Sequence, residues 1–166
     1  TIGLLNQTDV DDAIDAADTG GDASQRVEAM IRALCGATSE TMDLGRALLR
    51  LTVDAPRDAD GEGPRRGYRR VGWIERALAP IRPRFDAAGF ERLVSALAMV
   101  AGWEALIVLQ DVRGLSADEQ VETSLWAARA LLRAALDEAG DAAPARDTAA
   151  AELSDRGSPP APPRGA

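Results

Sequence analysis

The sequence contains no histidine and no lysine, so all 19 of its basic residues are arginine. Without histidine the chain cannot assemble a histidine-dependent triad, and a single cysteine leaves too few ligands for a zinc site of the His and Cys type. That residue, Cys35, lies on an apolar stripe and is interpreted as a core residue rather than a redox sensor. One cysteine also excludes an internal disulfide and favours a reducing compartment. We therefore expect a cytoplasmic protein that is not an enzyme and uses no metal or other cofactor.

Aromatic residues are scarce, at 4% of the chain, and no alternating apolar stretch is long enough for a β-strand. Alanine and leucine, which favour helices, dominate the 46% of residues that are hydrophobic. A chain of 166 residues has room for one domain and a tail. These features predict an all-α protein built as a bundle of about six helices.

Apolar runs are also short compared with the roughly 20 residues that a membrane span requires. The longest, from Leu93 to Leu109, carries Glu104 inside it. As a helix this segment would be apolar nearly all the way round, so we expect it to be covered on every side, in part by a second copy of the chain. We expect no membrane partner.

Positive charge is the minority sign, since 27 acidic residues give the chain a net charge of −8. The acidic excess is concentrated in residues 1–62, which contain 13 acidic residues and 5 arginines. Phosphate contacts need a positive surface, so this distribution argues against nucleic-acid binding by the chain itself.

Apolar spacing, capping residues and prolines divide the chain into predicted helices. These run over about 8–17, 24–36, 39–54, 64–79, 85–113 and 116–138. The strongest local signal is the capping box Ser116-Ala-Asp-Glu119, and Gly114 is expected to close the helix before it. From Gly140 onward alanine, proline and charge dominate, so residues 140–166 are expected to be a disordered tail.

Two carboxylates, Glu104 and Asp111, lie seven residues apart on one face of the predicted 85–113 helix. At about 1.5 Å per residue they are too far apart to act together on one bond. Each is expected to pair with an arginine, with Arg129 and Arg133 as the candidates. A polar contact to a ligand is the alternative.

One basic cluster stands at the start of the 64–79 helix, where positive charge opposes the helix dipole. Its members are Arg65, Arg66, Arg69 and Arg70. The preceding loop offers acidic partners, namely Asp58, Asp60 and Glu62. Binding of an anion or of a DNA backbone is the alternative role.

Three segments resemble helices of the C-terminal domain of TetR-family transcriptional regulators, and the likeness covers about residues 20–138. They are Arg-Arg-Val-Gly-Trp-Ile-Glu-Arg-Ala-Leu-Ala-Pro (69–80), Gly-Trp-Glu-Ala-Leu-Ile-Val-Leu-Gln-Asp-Val (102–112) and Trp-Ala-Ala-Arg-Ala-Leu-Leu-Arg-Ala-Ala-Leu (126–136). In that family an N-terminal helix-turn-helix binds operator DNA. The resemblance implies that residues 1–19 are the remnant of a helix leading to such a head, and that 20–139 form a ligand-binding and dimerisation domain. DNA contact is then expected only through the missing head.

The resemblance implies a body that senses a small apolar or aromatic effector and forms a homodimer through its last two long helices. The residues expected to contact the effector, with Tyr68 or Glu104 as a polar handle, are Met30, Leu34, Leu48, Leu49, Tyr68, Trp73, Leu97 and Glu104. The residues expected at the dimer interface are Trp103, Leu106, Leu125, Trp126, Ala128 and Leu132.

Two other interpretations remain open at this point. A standalone helical interaction module without a pocket is the main alternative, and an enzyme that uses carboxylates alone is a more distant one. Trp126 fits a partner surface, but it can also lie over the stems of neighbouring arginines. An enclosed cavity of about 300 Å³ or more beside Trp73 would favour the regulator.

Overall fold

The computed structural model describes residues 2–18, 20, 22–54 and 68–155, with side chains for most residues in 9–53 and 69–141. Within these residues the chain forms seven α-helices, one short 3-10 helix and no strand, which confirms the all-α prediction. The α-helices are α1 (Ile2–Ala16), α2 (Ala23–Glu40), α3 (Met42–Asp54), α4 (Tyr68–Leu78), α5 (Ala87–Val100), α6 (Trp103–Asp111) and α7 (Ala117–Asp155). The 3-10 helix, Ala79–Arg84, follows α4 directly.

Helix α2 is the centre of the bundle, because it packs against α1, α4 and α7. Its buried side is the predicted apolar stripe, Val27, Met30, Ile31, Leu34 and Cys35. The helix begins after Asp22, whose carboxylate accepts a hydrogen bond from the Ser24 N–H at 2.9 Å. Capping of this kind satisfies a backbone donor that the first turn leaves without an intrahelical partner.

Two predicted boundaries next to α2 are wrong. The helix continues through Gly36 to Glu40, and α3 begins at Met42 rather than near Ser39. Gly36 is exposed and lies inside the helix, so the glycine marks the end of the apolar stripe but not of the helix, whose buried side continues to Thr38.

The predicted single helix over 85–113 is also wrong, since it is divided into α5 and α6. Ala101 has extended backbone angles, and Gly102 has a φ of +103°, in the left-handed region that favours glycine. The two helix axes meet at 45°. The bend turns α6 away from the direction of α5: α5 packs mainly against α4 and α7, while α6 packs against α2, α3 and α7.

Helix α7 begins as the capping box predicts. The Glu119 carboxylate accepts from the Ser116 N–H at 2.8 Å, and the Glu119 N–H lies 3.4 Å from the Ser116 hydroxyl. Gly114, at a φ of +68°, closes α6 as expected. The helix runs on to Asp155, beyond the end predicted near Glu138, while 156–166 of the predicted tail lie outside the described residues.

No single helix in the described part of the chain is long and apolar enough to cross a membrane. Only α5 and α6 taken together reach the length and composition of a span, across the 45° bend between them.

Candidate functional site

The break between α5 and α6 is held in place by an arginine from α4. The guanidinium of Arg70 donates a hydrogen bond to the Ala101 carbonyl, at the point where the helix is interrupted and a backbone acceptor needs a partner from elsewhere. A Cβ on Gly102 would overlap Nη1 of Arg70. Glycine is therefore favoured at this position both by the backbone angle and by the lack of space for a side chain. The break is therefore specified by a contact between residues 31 positions apart.

The same guanidinium explains the carboxylate inside the apolar run. Glu104 accepts from Nη1 and Nη2 of Arg70 at 2.8 and 3.2 Å, and the Arg70 side chain is only 17% exposed. The expectation that Glu104 pairs with an arginine is confirmed, but the predicted partners are wrong. Arg129 instead donates to Glu28 of α2 at 2.7 and 2.8 Å.

The first residue of α6, Trp103, lies directly under α3. A Cβ placed on Gly45 would be 2.5 Å from Cγ of the indole, so the ring packs against the helix backbone where only glycine leaves room. The indole Nε1 is buried and has no hydrogen-bond partner. An indole N–H can only donate, so this donor lacks an acceptor in the described structure.

Helix α3 covers this indole only thinly. Leu48 and Leu49 are partly buried, and Leu51 and Val53 are 69% and 72% exposed. At the other end of α6, Asp111 accepts from Arg46 of α3 at 2.5 and 2.6 Å, and these hydrogen bonds lower the pKa of the Asp111 carboxyl.

We call the contact between α3 and α6 the seam. It is formed by Gly45, Arg46, Trp103 and Asp111, with the Arg70 and Glu104 pair at its edge. In each of the two ion pairs, Arg46 with Asp111 and Arg70 with Glu104, the charges cancel. The chemical features that remain at the seam are the indole ring of Trp103 and its N–H donor, which has no partner in the described part of the chain. Such a place can accept a neutral molecule if α3 moves aside.

The predicted effector residues fall into three groups. Met30, Leu34 and Leu97 are buried members of the core and fill it rather than line a cavity. Trp73 packs half-buried against that core, while Leu48, Leu49 and Glu104 lie on the two helices of the seam. The side chain of Tyr68 lies outside the described residues, as do those of Arg65 and Arg66.

The predicted dimer residues are mostly inside the single chain. Leu106, Leu125 and Ala128 are fully buried in the core and Leu132 nearly so, which means they are not available to a second copy. Trp103 belongs to the seam. Only Trp126 is on the surface, where it is 71% exposed. Met99, which is 78% exposed on α5, was not among the predicted interface residues.

An open depression of 390 Å³ lies away from the seam, where α4 and the 3-10 helix meet α5. It is lined by Glu75, Ala79, Arg82, Phe90 and Glu91, none of which was a predicted effector residue. The Arg82 guanidinium carbon lies 4.1 Å from the centre of the Phe90 ring, so the best cationic group of this depression already has an aromatic partner.

Sequence reasoning missed Gly45, Gly102 and Arg46 as parts of the site. Gly102 was detectable in principle, because a glycine inside a long apolar helix costs stability relative to alanine and needs a reason. Arg70 was singled out as a member of the basic cluster, but its partners are Glu104 and the Ala101 carbonyl rather than the acidic residues of the preceding loop. Arg46 was not detectable, since nothing in the local pattern distinguishes it from an exposed arginine.

Comparisons with models of protein families, with curated proteins and with solved structures find no match to this chain. Among the described residues, no three acidic or cysteine side chains are grouped so that they could hold a metal ion.

Proposed function

We propose that this chain is the effector-sensing and dimerisation body of a TetR-like transcriptional regulator, and that it binds a small, mostly apolar molecule at the seam. The observation that carries the proposal is the thin cover over Trp103, where α3 touches the indole through Gly45 while Leu48 and Leu49 are only partly buried and Leu51 is exposed. The three segments that resemble TetR-family helices support the class of protein.

Helix α4 offers a physical route from the seam to α1. Near its beginning, Arg70 holds Glu104 and the Ala101 carbonyl. Near its end, Arg76 pairs with Asp11 and Asp15 of α1 at 3.1 and 2.7 Å. A ligand that displaced Arg70 would therefore bias a helix that is salt-bridged to α1, the helix that we propose leads to a DNA-binding head.

A buried arginine strengthens that connection. Arg26 of α2 donates to the Arg76 carbonyl at 2.8 Å and pairs with Asp18 at 2.8 Å. Because Arg26 is almost completely buried, loss of Asp18 would leave its charge in the interior without a counter-charge. One buried side chain thus connects the end of α4 with the turn after α1.

We place the dimer interface on the outward sides of α5 and α7, which pack against each other. At about 100° per residue, Trp126 points away from the side of α7 that buries Ala128 in the core. Met99 is the exposed apolar residue of α5. Two large exposed apolar side chains on adjoining helices are typical of a partner surface.

The interface is tested by sedimentation of three proteins. The wild type should be a dimer, and Met99→Glu combined with Trp126→Glu should be a monomer with a similar helix content, since both positions are exposed within one chain. Leu51→Glu, an equally exposed apolar position on α3, is the matched control and should stay dimeric. A monomeric wild type would remove the dimer from the proposal.

Ligand binding at the seam is tested with a panel of neutral aromatic compounds. The chain has three tryptophans, so Trp73→Phe with Trp126→Phe leaves Trp103 as the only indole reporter. A compound that binds only the folded state at 100 times its Kd should stabilise the protein by about 2.7 kcal/mol and raise its Tm. The same compound should change the emission of Trp103.

The standalone interaction module is the second candidate, and the exposed Trp126 is the observation that favours it. If no compound in the panel raises the Tm or changes the Trp103 emission, while Trp126→Glu still abolishes association, the module replaces the regulator as the better account.

A further inference from the structure

Three described side chains carry a buried polar atom without a hydrogen-bond partner, and Trp103 is the one with no other polar contact. Arg26 has an unpaired Nε, but its other nitrogens reach Asp18 and the Arg76 carbonyl. Ser124 lies close enough to the Cys35 thiol to lower its pKa, against the larger raising effect of burial. The Trp103 indole offers its only polar atom, and that atom has no acceptor.

An unpaired buried donor is unfavourable because it has given up its hydrogen bond to water without replacing it. Native interiors leave few such groups, and each calls for a reason. At the seam the reason is consistent with a ligand, because the covering helix α3 is thinly packed and approaches the indole through Gly45, a residue without a side chain.

The charges around the seam restrict what that ligand can be. Arg46 and Arg70 are each engaged by a carboxylate, Asp111 and Glu104 respectively, so the two arginines bordering the seam are not open to an anion. Likewise the two carboxylates are already neutralised and do not attract a cation. The favoured ligand is uncharged.

The shape of the contact adds a second restriction. The Cγ, Cδ1 and Cδ2 atoms of the indole all lie 2.5 to 2.6 Å from the position of a Cβ on Gly45, so the face of the ring, not its edge, is turned to α3. When α3 moves aside, the surface it uncovers is a flat aromatic one with an N–H at its rim. A planar ring can stack there.

We propose that the effector of the seam is a neutral, planar molecule that presents a hydrogen-bond acceptor, such as a carbonyl oxygen, to Nε1 of Trp103. This rests on the proposed function, because it specifies the chemistry of the ligand that the seam is proposed to bind. A hydrocarbon of the same shape fills the same space but leaves the indole donor unpaired.

The probes are 2-acetylnaphthalene and 2-ethylnaphthalene, which have similar shapes but differ in one acceptor oxygen. In calorimetric titrations of the full wild-type chain, the acetyl compound should bind about tenfold more tightly. The three tryptophans give three indole cross-peaks in a ¹H–¹⁵N spectrum, and the acetyl compound should move the Trp103 peak downfield while the ethyl compound should not.

Two variants sharpen the assignment. Trp103→Phe keeps an aromatic ring and removes the donor, so the preference for the acetyl compound should fall to about twofold or less. It also identifies the Trp103 cross-peak by its absence. Trp126→Phe, the matched control, should keep the tenfold preference because Trp126 is 71% exposed on α7 and is not part of the seam.

The outcomes separate this inference from the function on which it rests. Equal affinities of the wild type for the two probes, or a downfield shift at another indole, would overturn the inference that the effector presents a hydrogen-bond acceptor to Trp103. Either result would leave the proposal of an apolar effector site in place. Binding of neither probe would count against the proposed function and this inference together. The wild-type titrations and spectrum decide the matter even if Trp103→Phe does not fold.

Discussion

Gly45 of α3 and Trp103 of α6 are in contact so close that a methyl group on the glycine would lie 2.5 Å from Cγ of the indole. Real Cβ atoms do not approach that closely, so the distance between α3 and α6 depends on the absence of a side chain. The contact therefore sets how tightly the seam closes.

Gly45→Ala should consequently destabilise the protein, although alanine is the better helix former. The overlap with the indole should cost about 1 to 3 kcal/mol, more than the gain in helix propensity. Urea unfolding measures this, and the emission of Trp103 should shift as α3 moves. Gly36→Ala is the control: it lies in α2 with open space around its Cβ position and should stabilise by about 0.5 to 1 kcal/mol. Stabilisation by both changes would contradict the tight contact.

Gly102→Ala should cost stability for two separable reasons. With φ +103° and ψ −179°, the backbone at Gly102 is in a region that essentially only glycine populates and costs another residue about 1 to 3 kcal/mol, and the methyl group would also overlap the Arg70 guanidinium. Gly114→Ala, at a φ of +68° with open space around its Cβ position, should be the milder change. In an Arg70→Ala background the part of the Gly102→Ala cost that comes from the overlap should disappear and the backbone part should remain, as a double-mutant cycle of unfolding free energies would show.

Leu125→Ala should lower the free energy of unfolding by about 2 to 5 kcal/mol, because it leaves a cavity in the core. Leu51→Ala, at an exposed position, should change it by less than about 0.5 kcal/mol. Sedimentation of Leu125→Ala should show the wild-type association state. Dissociation into stable, fully folded monomers would instead support the prediction from sequence that Leu125 lies in the dimer interface.

Acid should destabilise the fold partly through Glu28. Hydrogen bonds from Arg129 lower the pKa of this carboxyl, so its stabilising effect is complete above its unfolded pKa of about 4.3 and is lost as the pH falls through the lower folded pKa. The contribution is modest, because both side chains are partly exposed. Unfolding free energies measured from about pH 5 downward should decline less steeply in Glu28→Gln and in Arg129→Met than in wild type. If the unfolding free energy declines as steeply with falling pH in both variants as in wild type, Glu28 does not contribute to the acid destabilisation.

Cys35 should be unreactive in the folded protein. It is buried, and burial raises the pKa of its thiol, which disfavours the reactive thiolate. A thiol reagent such as 5,5′-dithiobis(2-nitrobenzoate) should react at least about a thousandfold more slowly than in denaturant, at a rate limited by unfolding. Leu125→Ala should speed the reaction about tenfold for every 1.4 kcal/mol of stability lost when reclosing is faster than labelling. Fast labelling of the native chain would show that the helix α2 stripe is not closed.

Features that depend on residues three or four positions apart were predictable from the sequence. The buried stripe from Val27 to Cys35 follows from apolar spacing, and the Ser116 to Glu119 capping box follows from two side chains that reach each other within one turn. The all-α class is likewise a sum of such local preferences. These preferences act whatever packs against the helix.

The break at Gly102 and the partner of Glu104 could be only partly predicted. Apolar periodicity carries on through 85–113 with little sign of interruption, and the glycine was the one local hint. What specifies the break is Arg70, which lies far away in sequence and reaches Ala101 and Glu104 only once α4 has packed. An ion pair of this kind depends on the distance between two folded helices, which no local pattern contains.

Sequence alone was enough to establish that the chain is helical, that α2, α5 and α7 begin close to residues 24, 85 and 116, and that one face of α7 avoids water. The packed bundle was needed to show what covers that face: Leu125, Ala128 and Leu132 pack inside the same chain, and Trp126 does not. The hydrophobic effect depends on the apolar area removed from water and is indifferent to which chain removes it. For that reason an apolar stripe predicts that its residues are covered but does not say by what. Whether the cover is a helix of the same chain or a second copy is decided only when the bundle packs.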